Sequence, residues 1–295
     1  MKELFCGCGV ALVTPFINGK VDYKSFKNLI INCLNNGANA IVILATTGES
    51  STITLNERKK LTRLAKKIIS DRAKLIVGTG NNNFAECFKL TSLAKKQGAD
   101  AALIVTPYYN KTTQDGIVNF YKQLSEIELP IIIYNVPART GLNIELETIK
   151  RIIQTNKMIV GIKESTADIT RIIALHEICK NKIAVYSGED NLNYLFYCLG
   201  ASGTISVTAN AFPKQVSILY NLVKNNEFKQ ALSLSQNLAK FDNALFIETN
   251  PIPVKYLLKQ LNLIASDEVR LPLIPLKNKQ VINNLVKNNI KTHIS

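Results

Sequence analysis

The sequence predicts an α/β fold: a TIM (β/α)8 barrel followed by a C-terminal helical extension. Three observations carry that expectation. Eight short apolar, β-branched runs recur at roughly the length of one βα unit. Nearly all are apolar without alternation, as in parallel strands covered on both faces. Amphipathic stretches of helical periodicity fill the intervals, so each strand is followed by a helix.

The predicted strands are Gly9 to Val13, Ala40 to Leu44, Leu75 to Val77, Ala102 to Val105, Ile131 to Tyr134, Ile159 to Ile162, Ile183 to Tyr186, and Gly203 to Ser206. Phe26, Leu29, Ile30, Cys33 and Leu34 share one helical face, as do Leu61, Leu64, Ala65, Ile68 and Ile69. Gly37 and Gly98 stand where helices end before the next strand, the usual place for a glycine. The eighth barrel helix is expected from Pro213 to about Val223. Beyond it the strand signal stops. Phe228, Ala231, Leu234, Leu238, Phe241 and Leu245 form one helical stripe. Tyr256, Leu257 and Leu261 follow Pro253 in another, and Val281 to Val286 suggests a last helix. The expected division is a barrel over residues 1–225 and a helical unit over 226–295.

Composition narrows the function. With 295 residues and 46% hydrophobic content, the chain suits a barrel with an extension. No apolar run reaches the roughly 18 residues of a membrane helix. Leu4-Phe5-Cys6-Gly7-Cys8 faintly imitates a lipoprotein cleavage site, but no apolar stretch precedes it, so a cytoplasmic location is expected. The cysteines Cys6, Cys8, Cys33, Cys87, Cys179 and Cys198 form no C-x-x-C pair and read as buried free thiols. The histidines are His176 and His293 alone, which excludes a Ser-His-Asp triad or an H-E-x-x-H zinc site. Neither a metal nor a cofactor is expected. The net charge of +14 is spread along every helix without interleaved aromatics. That argues against nucleic acid and for a field that favours small anions.

In such a barrel the active site lies at the C-terminal ends of the strands. Those ends read Ala45-Thr46-Thr47-Gly48-Glu49-Ser50, Gly78-Thr79-Gly80-Asn81, Thr106-Pro107-Tyr108-Tyr109-Asn110, Tyr134-Asn135-Val136-Pro137-Ala138-Arg139-Thr140-Gly141, Lys163-Glu164-Ser165, and Ser187-Gly188-Glu189-Asp190. Strand eight runs on through Val207-Thr208-Ala209-Asn210. Lys163 ends a strand-like run, and such a lysine has two fates. It snorkels its ammonium to water, or it sits desolvated as an amine nucleophile toward a carbonyl. The surrounding hydroxyls, tyrosines and single arginine suit the second. A neutral amine would form an iminium with a keto acid, and that electron sink lets a neighbouring methyl lose a proton. A tight Thr-Thr-Gly turn offers N–H donors to a carboxylate. Arg139 could bind a second carboxylate bidentately or serve as a surface ion-pair partner. Gly78 and Gly80 read as turn glycines.

Together these segments resemble the dihydrodipicolinate synthase family, as does Asn250-Pro251-Ile252-Pro253-Val254-Lys255 in the extension. The likeness runs from about residue 7 to about residue 275, in order and with near-family spacing. It implies condensation of pyruvate with L-aspartate 4-semialdehyde in diaminopimelate and lysine biosynthesis. It implies Lys163 as the Schiff-base lysine and Tyr134 and Thr47 as proton relays, joined by Tyr109 from a neighbouring subunit. It further implies that Thr46 and Thr47 hold the pyruvate carboxylate and Arg139 the semialdehyde carboxylate. Gly188 and Ile205 would line the pocket through their backbones, and the assembly would be a homotetramer, a dimer of dimers. Positions matching a lysine-inhibition site are Ser50, Ser51, Leu55, Arg58, Asn82, Glu86 and Tyr108. Leu55 and Arg58 depart from the lysine-sensitive pattern, so weak or absent lysine inhibition is expected. Ala45 replaces a common glycine, with a minor effect expected. The nearest rival is a sibling Schiff-base aldolase such as an N-acetylneuraminate lyase. Arg139 and the Thr46-Thr47 pair favour the synthase. A catalytically dead barrel kept for binding is disfavoured by the intact Lys163, Tyr134, Thr47 and Tyr109 set.

Overall fold

A computed structural model describes residues 3–289 of the chain. His293 lies outside the described residues. Eight parallel strands close into a barrel: β1 (Gly7–Ala11), β2 (Ala40–Ile43), β3 (Lys74–Gly78), β4 (Ala101–Val105), β5 (Ile131–Asn135), β6 (Ile159–Glu164), β7 (Ala184–Ser187) and β8 (Gly203–Ser206). Each pairs with the next, and β8 returns to β1. The barrel helices are α1 (Tyr23–Asn35), α2 (Leu55–Ile69), α3 (Phe84–Lys96), α4 (Gln114–Leu124), α5 (Leu146–Thr155), α6 (Ile169–Cys179), α7 (Asn193–Cys198) and α8 (Pro213–Lys224). The extension adds α9 (Phe228–Ala244), α10 (Ile252–Gln260) and α11 (Lys279–Asn289).

Local sequence accounts for most boundaries. Asp22 caps α1 by accepting from the Lys24 and Ser25 N–H groups, and Thr54 with Glu57 forms a capping box on α2. Asn83 and Thr113 do the same work for α3 and α4. Gly37 and Gly98 follow the C-caps Asn36 and Gln97 with φ of 87° and 79°, the left-handed region that suits glycine. β1 starts two residues before the predicted strand and ends at Ala11. Its continuation is diverted because the Val13 N–H goes to the Asn210 side chain, not to a neighbouring strand. A small antiparallel hairpin, Phe16–Ile17 with Lys20–Val21, was not predicted. Asn18-Gly19 turns it, with φ of 50° and 74°, so the Asn-Gly signal for such a turn was present.

Apolar side chains segregate into two cores. One fills the barrel interior and includes Phe5, Val42, Ile76, Leu103, Ile132, Tyr134, Tyr186 and Ile205. The other lies between strands and helices and continues into Leu238, Phe241, Leu245 and Leu257 of the extension. The cysteines are free thiols, but Cys6 and Cys198 are exposed, contrary to expectation. Cys6 donates to Glu3 at 2.5 Å; desolvation and that carboxylate push the thiol up to about 11, which keeps it protonated. Burial lowers the pKa of His176, whose ring is edge-on to Phe196. No described helix is long and apolar enough to cross a membrane.

Candidate active site

The position of Lys163 depends on an irregularity in β6. Ile131 of β5 pairs with Ile159, but Ile132 pairs with Gly161, so one residue of β6 is left over. Strand side chains alternate between faces, and a shift of one residue inverts the alternation. Ile159 and Ile162 both face the helix layer, whereas Val160 packs toward the interior. Without the extra residue Tyr134 would stand opposite Ile162. With it, Tyr134 pairs with Lys163, and Asn135 with Glu164. The Lys163 ammonium nitrogen lies 4.4 Å from the centre of the Tyr134 ring, and Lys163 is only 5% exposed.

Space for Lys163 is made by Gly188. A Cβ at that position would lie 2.8 Å from Lys163 Cε, 2.9 Å from the Glu164 carbonyl and 1.9 Å from Ser165 Oγ. Glu189 follows. Burial raises its pKa, and the positive charge of Lys163 pulls it part of the way back. Behind the pair, Glu164 is fully buried and accepts from Arg171 Nε and Nη2 at 3.2 and 3.1 Å and from Asn135 Nδ2 at 2.9 Å. Asn135 Oδ1 accepts from the Ile144 N–H. This network ties β5, β6 and α6 together at the level of Tyr134 and Lys163.

The Thr46-Thr47-Gly48 turn follows β2. The Gly48 N–H bonds to the Ala45 carbonyl, and the Glu49 N–H to the Thr46 carbonyl. Thr47 is buried, and its hydroxyl accepts from Asn250 Nδ2 at 3.0 Å. The Asn250 carbonyl in turn accepts from Arg139 Nη2 at 3.1 Å. Arg139 sits on the short helical turn Pro137–Thr140 after β5. Asn250 thus links Thr47 to Arg139 from the extension. It lies in the Asn-Pro segment quoted for the family likeness, but the sequence reading gave it no role. Its Oδ1 is buried without a partner.

A cavity of about 520 Å³ opens beside this group, lined by Thr46, Tyr134, Arg139 and Asn250 and by Ser50, Ser51, Arg58, Glu86 and Tyr108. Lys163, Thr47, Gly188 and Ile205 lie outside its lining. Ile205 is 1% exposed in the barrel interior, in one cluster with Tyr134. Tyr109 is not brought to this chain's own site. It is 92% exposed, with φ of 70°. Asn82 also stands off the cavity, its carbonyl accepting from Asn110. Glu86 pairs with Lys89. Arg58 is buried and donates to the Gly78 carbonyl and to Ser50, and desolvation lowers its pKa to about 10. Gly78 is the last residue of β3 and Gly80 follows it outside any turn, and neither has a positive φ. A Cβ on Gly78 would meet the Leu44 carbonyl at 2.3 Å and one on Gly80 the Val105 nitrogen at 2.5 Å, so close backbone passage requires both. Among the described residues no cluster of His, Cys, Asp or Glu could hold a metal ion.

The chain is similar to known proteins over nearly its whole length. A relative from Fervidobacterium nodosum, a 4-hydroxy-tetrahydrodipicolinate synthase, is 45% identical over 94% of this chain and 95% of its own. The Thermotoga maritima dihydrodipicolinate synthase structure superposes with a TM-score of 0.94 at 40% identity, covering 97% of this chain and 98% of its own. The Acinetobacter baumannii enzyme complexed with pyruvate gives 0.93 at 42% identity, covering 96% and 98%. The model of the dihydrodipicolinate synthetase family matches residues 4–291. The chain belongs to the dihydrodipicolinate synthetase family.

Proposed function

We propose that this chain is a lyase of the class I aldolase type that condenses pyruvate with L-aspartate 4-semialdehyde, as a 4-hydroxy-tetrahydrodipicolinate synthase in diaminopimelate and lysine biosynthesis. The observation that carries this reading is the buried Lys163 beside Tyr134, its nitrogen 4.4 Å from the ring centre. As a neutral amine Lys163 adds to the keto carbon of pyruvate and expels water to form an iminium. The methyl group then gives up a proton, and the enamine attacks the aldehyde carbon of the second substrate. Tyr134 and Thr47 relay protons, in the role that histidine fills elsewhere. Thr46 and Thr47 hold the pyruvate carboxylate, with Gly188 and Ile205 lining the pocket. Arg139 binds the semialdehyde carboxylate, and its bond to the Asn250 carbonyl supports that orientation.

Tyr109 completes the relay from a neighbouring subunit of a homotetramer built as a dimer of dimers. Its 92% exposure supports a role outside its own chain. Division into a barrel over 1–225 and a helical unit over 226–295 belongs to the same proposal. Ser50, Ser51, Asn82, Glu86 and Tyr108 occupy the positions that match the lysine-inhibition site of sensitive relatives, and lysine is expected to inhibit weakly or not at all. Arg58, bonded to Ser50 in that cavity, supports this, since its charge repels the ammonium groups of lysine. Turnover is expected to hold at low-millimolar lysine; a sharp drop would overturn the regulatory reading.

Borohydride reduction with pyruvate, intact-mass measurement and peptide mapping test the whole. A pyruvate-sized adduct on Lys163, with turnover of aspartate semialdehyde, is expected. An adduct without that turnover would point to a sibling aldolase. Absence of an adduct would remove the Schiff-base mechanism.

A further inference from the structure

A second lysine, Lys255, lies outside the chemistry described above and is more deeply buried than Lys163. It is 0% exposed in α10, where an unpaired ammonium would be costly. Three neighbours compensate it. Its nitrogen donates to Glu49 Oε1 and to the Glu268 carbonyl at 2.8 Å, and lies 4.0 Å from the centre of the Phe16 ring. Glu49 is itself buried, and its other oxygen accepts from the Arg270 N–H at 3.0 Å. The Arg270 guanidinium stacks on the same Phe16 ring at 4.3 Å and pairs with Glu57 at 2.6 Å. All this converges on one residue of unusual backbone. Glu49 has φ of 52° and ψ of 42°, a left-handed conformation that costs an ordinary residue about 1 kcal/mol or more. It stands two positions after Thr47, in the coil formed by the Gly48, Glu49 and Ser50 N–H groups. The extension therefore grips this turn twice, through Asn250 on Thr47 and through Lys255 on Glu49.

Building on the proposed function, we infer that Lys255 and Glu49 are positioning residues: their buried ion pair holds the Thr46-Thr47 turn in the shape that binds the pyruvate carboxylate. Lys255 stands outside the cavity lining, whereas Glu49 enters it between Thr46 and Ser50. The pair acts by fixing the left-handed residue that closes the turn, which sets the direction of the N–H groups before it. Replacing a buried ion pair with hydrophobic groups of the same volume is often neutral or stabilising, so stability alone is a weak reason for charges here.

The test uses full-length Glu49→Gln and Lys255→Met. Removing one partner of a buried pair can unfold a protein. Glu49→Gln avoids this, because desolvation already lowers Lys255 to about 8, against the opposing pull of Glu49 and Glu268, and the lysine releases its proton once the carboxylate is gone. The readout is the pyruvate concentration giving half-maximal borohydride-trapped adduct on Lys163, measured well below each variant's Tm. A rise on the order of tenfold or more, with the adduct still complete at saturating pyruvate, is expected of a displaced turn. Unchanged half-saturation in folded Glu49→Gln, whatever its Tm, would overturn the inference and make the pair purely structural. Failure of the wild-type chain to form any adduct would overturn the proposed function itself, which keeps the two failures apart.

Discussion

Gly188 shows how tightly Lys163 is fitted. A methyl group added there meets the Glu164 backbone and the Lys163 side chain at once, and only Lys163 and Ser165 are free to move. Gly188→Ala should therefore displace Lys163, at a stability cost of about 1–3 kcal/mol. Adduct formation is expected to slow on the order of a hundredfold. Trapping at the wild-type rate would show that the packing of Lys163 is not needed. Asp242 gives a different expectation. Burial, then the charge of Asp190, pushes its carboxyl up to about 8, while a hydrogen bond from Thr208 opposes the shift. The folded state therefore holds this proton over the range from ordinary carboxylate values to about pH 8, where the unfolded chain has lost it. More protons in the folded state mean stability that falls as pH rises through that window. Asp242→Asn removes the dependence. Its Tm should decline less than the wild-type Tm between pH 5 and 8, and parallel curves would refute the assignment.

At the scale of elements, the irregular register of β6 is the feature on which the site turns. Strict alternation from Ile159 would have sent Lys163 outward toward α6, into the layer where Ile162 now packs. Gly161 sits at the shift, and a Cβ there would lie 2.9 Å from a Tyr186 ring carbon and 3.1 Å from the Ala184 carbonyl. Tyr186 cannot yield easily, since its hydroxyl donates to the Phe5 carbonyl and its ring stacks on Phe5 at 4.4 Å. Gly161→Ala is expected to lower Tm by several degrees and to weaken pyruvate trapping as well. A variant with lowered Tm and wild-type trapping would show that the register of β6 tolerates strain without moving Lys163.

Across the whole molecule, the extension reaches the loops around the candidate site, and on the proposed reading the assembly completes it. The extension supplies Asn250, Lys255, Glu268 and Arg270 to the loops that follow the strands. The assembly is expected to supply Tyr109, which is almost fully exposed in the single chain. On the proposed reading, Tyr109→Phe should slow turnover while leaving the fold and the Lys163 adduct intact. Unchanged turnover would sink the cross-subunit role. Sedimentation velocity should find four chains per particle, and a monomer with full activity would sink it equally.

By itself the sequence determined the barrel, because eight short apolar runs without alternation, separated by amphipathic helical stretches, fit parallel strands covered on both faces. It also determined the chemical inventory at the strand ends, including Lys163, Tyr134 and Arg139, because in this fold a residue's place along its strand sets the face it reaches. Tertiary structure alone decided which residues meet. The one-residue shift that turns Lys163 inward arises from pairing between strands, and no local propensity encodes it. The links from Asn250 to Thr47 and from Lys255 to Glu49 join residues more than 200 positions apart. Such contacts follow from the path of the extension across the barrel mouth, which side-chain periodicity does not specify.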